Sequence, residues 1–173
     1  TGVTMVDINS DGLLDIYVCR SGNYEAEKRK NKLYINNGID KQSGIPRFTE
    51  SAEAYGLADT SYSTQAAFFD YDRDGDLDMY LLNHSNAIRN PNQVVPLISD
   101  GSGPANDKLY RNDVATPSQG PTFTDVTLEA GILYDGLGLG LGISDINNDG
   151  WPDIFVTNDF IANDYLYVNE QEG

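Results

Sequence analysis

Asp7-Ile-Asn9-Ser-Asp11-Gly12-Leu13-Leu-Asp15 recurs as Asp70-Tyr-Asp72-Arg-Asp74-Gly75-Asp76-Leu-Asp78, and again as Asp145-Ile-Asn147-Asn-Asp149-Gly150-Trp151-Pro-Asp153. The starts lie 63 and 75 residues apart, and self-similarity at such a spacing marks a repeat architecture. A short run rich in small residues precedes each copy, at 2–6, 65–69 and 140–144. An apolar, β-prone run follows each: Ile16-Tyr17-Val18, Met79-Tyr80-Leu81 and Ile154-Phe155-Val156. These runs are too short for helices and read as strands.

Two further motifs repeat downstream. The first is Asn31-Lys-Leu33-Tyr34-Ile-Asn36, Asp107-Lys-Leu109-Tyr110-Arg-Asn112 and Asp164-Tyr-Leu166-Tyr167-Val-Asn169. The second is Phe48-Thr49-Glu50 with Gly56-Leu57, and Phe123-Thr124-Asp125 with Gly131-Ile132. Each unit therefore reads strand, acidic loop, strand, Leu-Tyr strand, Phe-Thr strand. Four strands per repeat predict an all-β chain of β-propeller blades, each a four-stranded antiparallel sheet. The expected units are 1–57, 58–132 and a partial third, 133–173, or two and about two-thirds blades. A long polar insertion, 83–106, separates the second and third strands of unit two; loops of this length are usually functional.

The chemistry lies in the loop pattern D-x-[DN]-x-D-G-x-x-D. Side chains at positions 1, 3 and 5 can converge on one ion, and Gly at position 6 permits the sharp turn. The position 7 carbonyl of Leu13, Asp76 or Trp151 can add an oxygen, and Asp at position 9 can close the shell. An all-oxygen, carboxylate-rich shell suits Ca²⁺; no Cys or His lies near enough for zinc or copper. An EF-hand needs Glu at position 12, where this chain has Val18, Leu81 and Val156. A bare Asp-Gly turn would leave three to five mutually repelling carboxylates per loop uncompensated. Loop two is the most acidic; Asn9 and Asn147 should make the other two loops weaker binders.

The chain has 173 residues, a mass of 19.0 kDa and a formal charge of −16, with 39% hydrophobic residues. That supports a sizeable core and excludes the usual phosphate-backbone binder, so no nucleic-acid partner is expected. No apolar run reaches the roughly 18–20 residues of a membrane span, so direct membrane insertion is not expected either. Thr1, with no leader ahead of it, reads as a cut end. Cys19 stands alone, so no intrachain disulfide can form. Of 27 acidic residues 20 are Asp, a bias towards turns, caps and hard-cation sites rather than helical surfaces.

The acidic loops, the Leu-Tyr-x-Asn strands and the Phe-Thr-[Glu/Asp] strands resemble the FG-GAP/VCBS repeats of integrin α-subunit propellers. They are more closely similar to the bacterial relatives of cartilage acidic protein, the ASPIC/UnbV group. The resemblance covers essentially the whole chain, although the literal Phe-Gly and Gly-Ala-Pro signatures of integrins are missing. It implies a Ca²⁺-stabilised extracellular propeller of about seven or eight blades. Up to three structural Ca²⁺ ions are implied. The implied ligands are Asp7, Asn9, Asp11, the Leu13 carbonyl and Asp15; Asp70, Asp72, Asp74, the Asp76 carbonyl and Asp78; and Asp145, Asn147, Asp149, the Trp151 carbonyl and Asp153.

Remaining residues read as structural. The Gly136, Gly138, Gly140, Gly142 alternation lacks dinucleotide-loop spacing and reads as an innermost blade strand. His84, the only His, has no nucleophile or base around it, and Asn83-His84-Ser85 is a weak glycosylation sequon. Cys19 reads as a buried inert thiol, 25–30 as a solvated charged loop, and the repeating tyrosines (17, 34, 80, 110, 167) as packing between blades. Trp151 could cover its ion site or pack on a neighbouring blade.

With no catalytic constellation visible, the expected function is a calcium-binding, non-enzymatic adhesion or ligand-binding module with a protein or glycan partner. The alternative is the scaffold of a secreted polysaccharide-acting hydrolase or lyase. The expected location is extracellular or at the cell surface, or periplasmic, in a bacterium. Three blades expose two blade faces, so self-association through them is also expected.

Overall fold

A computed structural model describes residues 2–84, 96, 98–113, 120–159 and 162–171. The strands are β1 (Val3–Val6), β2 (Asp15–Val18), β3 (Lys32–Ile39), β4 (Pro46–Glu50), β5 (Ser63–Phe69), β6 (Asp78–Asn83), β7 (Lys108–Asn112), β8 (Phe123–Asp125), β9 (Gly138–Ser144), β10 (Asp153–Asn158) and β11 (Tyr165–Tyr167). They form three antiparallel sheets in the orders β1-β2-β3-β4, β5-β6-β7-β8 and β9-β10-β11. The all-β blade architecture follows, each sheet a meander in which successive strands pair.

The registers repeat with the sequence. Ile16 faces Met5 on one side and Tyr34 on the other in the first sheet; Met79, between Phe68 and Tyr110, takes the same place in the second. The apolar core lies between sheets rather than within one. Val6, Ile8, Tyr17, Cys19, Leu33 and Leu57 of the first sheet region meet Ala66, Met79, Leu81, Tyr110 and Phe123 of the second. On the other side Tyr71, Tyr80, Leu82, Leu109 and Ile132 meet Ile154 and Val156 of the third. Strand alternation explains the division: Met79 and Leu81 point one way, Tyr80 and Leu82 the other. β6 is accordingly buried along its whole length. Each such side chain removed from water stabilises the stack by about 1.5–3 kcal/mol.

Of the repeating tyrosines, Tyr17, Tyr80, Tyr110 and Tyr167 take part in this packing, whereas Tyr34 belongs to neither cluster. Tyr17 meets Phe68 edge-on across the first junction, with ring centroids 5.7 Å apart. The Tyr110 hydroxyl donates to Asp59 across the same junction at 2.9 Å. The first strands crowd at the centre, β5 lying against both β1 and β9. Gly138 is one reason they can: a Cβ there would collide with Leu82 and lie 2.9 Å from the Asn83 carbonyl. Cys19 is buried, and burial pushes its thiol up to about 12, so it is inert.

The charged segment 25–30 differs from the solvated loop expected. It contains a four-residue helix, α1 (Ala26–Arg29). Arg29 is docked rather than free: its Nε donates to the Thr60 carbonyl at 3.0 Å and its guanidinium lies 4.2 Å from the Tyr62 ring centroid. A cationic side chain with a long apolar stem covers its neighbour while keeping its charge near water.

Candidate metal centres

All three acidic loops adopt one backbone path. Gly12, Gly75 and Gly150 at position 6 have φ of 85°, 99° and 91°, which explains the glycine. Position 4 also has positive φ: 58° at Ser10, 62° at Arg73 and 61° at Asn148. Two left-handed residues two apart coil the loop so that its amides point inward. In loop one the amides of Asp11 and Gly12 donate to Asp7 at 3.0 and 2.8 Å; in loop three those of Asp149 and Gly150 donate to Asp145 at 3.0 and 2.9 Å. In loop two Gly75 donates to Asp70 at 3.2 Å.

Position 9 has a second task. Asp15, Asp78 and Asp153 are buried, and each accepts two backbone amides, one from loop position 2 and one from the Asn that closes the Leu-Tyr-x-Asn motif. Ile8 and Asn36 donate to Asp15 at 3.1 and 2.7 Å, Tyr71 and Asn112 to Asp78 at 3.0 and 2.8 Å, and Ile146 and Asn169 to Asp153 at 2.9 and 2.9 Å. This carboxylate pins the loop to the sheet. Each oxygen keeps a further lone pair, so the pin does not prevent it from holding a cation.

Loop two brings its acids closest. Carboxylate oxygens of Asp70, Asp72 and Asp78 all lie within 4.8 Å of one another, a group that could hold a metal ion. One oxygen each of Asp70 and Asp76 is buried without a hydrogen-bond partner. Burial, with the charges of Asp72 and Asp76, pushes Asp78 up to about 7 against its two amide donors. Burial and the neighbouring Asp74, Asp72 and Asp70 push Asp76 up to about 6. Orphaned hard oxygens among crowded carboxylates fit a divalent cation such as Ca²⁺, which would satisfy the oxygens and screen the charges.

Loops one and three have the same path with two carboxylates fewer. The Asn9 and Asn147 amides donate to Asp11 and Asp149, each at 3.0 Å, so these loops relieve part of their own repulsion. Their position 5 acids are exposed, and Asp149 is held below the usual carboxylate range by the Trp151 amide and Gln171. The Leu13, Asp76 and Trp151 amides donate to the position 5 acids at 2.8, 3.1 and 2.9 Å. Trp151 packs on a neighbouring sheet's loop: the Arg73 guanidinium lies over its ring at 5.3 Å.

The fixed points of each sheet also include residues absent from the expected ligand set. Asn36, Asn112 and Asn169 close the Leu-Tyr-x-Asn motif, and their amides are the donors that grip position 9. The residue opening that motif clips the far end of the second strand: Arg20, Asn83 and Asn158 amides donate to Asn31, Asp107 and Asp164 at 2.7, 2.7 and 2.8 Å. The recurrence of these residues was the available signal; their partners lie on other strands and could not be read from it.

Of the insertion 83–106, residues 85–95 and 97 lie outside the described residues, including Ser85 of the sequon and Pro91. Its two ends are held: His84 bridges to Leu137 and Asn106 to Asp135.

Residues 2–81 match the family model of an FG-GAP-like repeat, a stretch that carries the first two acidic loops. Those residues carry FG-GAP-like repeats. The match supports the repeat itself, not a particular kinship with cartilage acidic protein. No curated protein matches the chain. Among the described residues no helix is long and apolar enough to cross a membrane.

Proposed function

We propose that this chain is a calcium-binding, non-enzymatic part of an extracellular β-propeller that displays a ligand-binding face for a protein or glycan. The observation that carries the calcium reading is loop two, where Asp70, Asp72 and Asp78 converge and buried oxygens of Asp70 and Asp76 have no partner. Asp70, Asp72, Asp74, the Asp76 carbonyl and Asp78 would hold the ion there, and the matching residues of loops one and three would hold two more. Bound calcium supplies charge neutralisation at the turn between the first two strands of a sheet. Extracellular modules bind calcium with Kd up to about 10⁻⁴–10⁻³ M, which favours a calcium-rich compartment.

The ligand-binding role is proposed for the insertion 83–106, whose ends emerge from fixed points on the second and third sheets. Self-association belongs to the same proposal. Val3 and Met5 on the first sheet, and Phe155 and Leu166 on the third, are exposed. They occupy register positions that Ala66, Phe68, Tyr80 and Leu109 bury between sheets.

A thermal melt of chelator-stripped protein against Ca²⁺, with Mg²⁺ as control, tests the calcium reading. Calcium at 100 times Kd adds about 2.7 kcal/mol, or roughly 5–10 °C for a chain of this size. Equal shifts with the two ions, or none, would count against it.

A further inference from the structure

Loops one and three carry short polar side chains at position 4, Ser10 and Asn148, whereas loop two carries Arg73. Arg73 is exposed, and it reaches out of its own loop to the next one. Its guanidinium lies over the Trp151 ring at 5.3 Å, and its Nη1 would lie 3.4 Å from a Cβ at Gly150. Gly150 and Trp151 are positions 6 and 7 of loop three. At the junction of the first two sheets the residues corresponding to Arg73 and Trp151 are Ser10 and Asp76, with neither a cation nor a ring. The link is therefore particular to loops two and three and is not a property of the repeat.

Asp149 adjoins Gly150 and feels this charge. The Trp151 amide and Gln171 hold its carboxyl below the usual range, and the positive charge of Arg73 adds to their effect. Within loop two the cation that acts on Asp72 is Arg111 instead. Arg73 belongs to loop two by sequence and to loop three by electrostatics. Loop three has three carboxylates, Asp145, Asp149 and Asp153, against five in loop two. One fixed positive charge offsets a larger share of the smaller set. Asp149 is exposed, so the effect is modest and sensitive to salt.

We propose that Arg73 sets the calcium affinity of loop three, as a cation carried on loop two that opposes an ion held by Asp149 and its partners. The inference rests on the calcium reading above. The donors of loop three, Asp145, Asn147, Asp149, the Trp151 carbonyl and Asp153, are all hard oxygens and fit that ion. A guanidinium is permanently charged, and stacking on Trp151 keeps it beside the loop, so it weakens the attraction of these oxygens for a second cation. The consequence is a graded response, in which loop two fills at a lower calcium concentration than loop three.

Trp151 is the only tryptophan of the chain, so its emission, excited where tyrosine does not absorb, reports loop three. The test is a titration of the intact, chelator-stripped protein with calcium chloride at low salt, following Trp151 emission and, in parallel, the heat of binding. Arg73→Gln is expected to lower the calcium midpoint of the Trp151 change about three- to tenfold. Arg73→Lys keeps the charge and should stay within about twofold of the parent. The effect of Arg73→Gln should vanish in about 1 M potassium chloride, where the screening length is about 3 Å. Both variants are checked for an unchanged far-UV spectrum, and each titration is scaled to its own end points. An unchanged or higher midpoint in Arg73→Gln would overturn the proposal, as would Arg73→Lys behaving like Arg73→Gln, which would make the effect one of packing. Heat of calcium binding with no response from Trp151 would also overturn it while leaving loop two as a calcium site. Neither heat nor response would remove the calcium reading itself.

Discussion

Asp107→Asn should make this protein more stable at neutral and alkaline pH, although it removes a charge-assisted network. Asp107 is 2% exposed and accepts the Asn83 amide at 2.7 Å and the Tyr80 hydroxyl at 2.9 Å. Burial pushes its carboxyl up to about 7, and the charge of Asp135 adds to the shift, while the two donors only partly offset it. The first repeat solves the same geometry with a neutral side chain. There Asn31 accepts the Arg20 amide at 2.7 Å and donates to the Tyr17 hydroxyl at 3.1 Å.

The sign follows from linkage. Between the ordinary Asp value of 3.8 and about 7, the folded chain holds a proton that the unfolded chain has released. Stability therefore falls as pH rises through this window, by up to about 1.4 kcal/mol per pH unit, and levels off above it. The full window amounts to about 4 kcal/mol, and Asn has no such dependence. Between about pH 5.5 and 8.5 the variant should gain about 2 kcal/mol on the parent, read from paired urea unfolding curves. Other titrating groups cancel in that difference. A difference independent of pH, or one that grows as pH falls, would refute the assignment of a raised carboxyl to Asp107.

Asp72→Asn gives loop two the position 3 residue of the other loops, and should weaken its calcium affinity about tenfold without abolishing it, read by calorimetric titration. Lys108→Met should cost about 2–3 kcal/mol at neutral pH. It strips the buried Asp59 of a cation at 2.8 Å. Burial raises the Asp59 carboxyl, but Lys108 and its other donors outweigh that and hold it below 3.8. The parent's advantage is therefore present above that value and disappears as pH falls through the lower folded one, which acid-range unfolding curves would show. Gly56→Ala should destabilise more than Gly131→Ala by about 1–3 kcal/mol in urea unfolding. Both have positive φ, but only the Cβ at 56 meets a backbone carbonyl, at 2.5 Å.

Much of the candidate site was legible because its parts are local. Position 1, Gly at position 6 and the position 5 turn are set by loop geometry over nine residues, and three copies of the pattern specify it. The positive φ at Ser10, Arg73 and Asn148 was not legible, because none of these is the Gly that normally marks such a backbone. The grip of Asn36, Asn112 and Asn169 on the position 9 carboxylates was visible only as recurrence; the amide and its acceptor are 16 to 34 residues apart. The 25–30 segment read as solvated because its charges are dense, yet Arg29 finds Thr60 and Tyr62 on a loop over thirty residues away.

By itself the sequence determined the repeat, the strand order within each unit and the all-β class, since alternation and turn chemistry act between neighbours along the chain. Which side of each strand faces which sheet, why β6 is buried on both faces, and why the carboxyl of Asp107 is raised were decided only by the stacking of sheets. Those properties depend on desolvation, and desolvation is set by what packs across a junction, not by what adjoins in sequence. The cavity beside β11 has the same origin: its lining residues come from Tyr71 to Glu170, and only the tertiary structure brings them together.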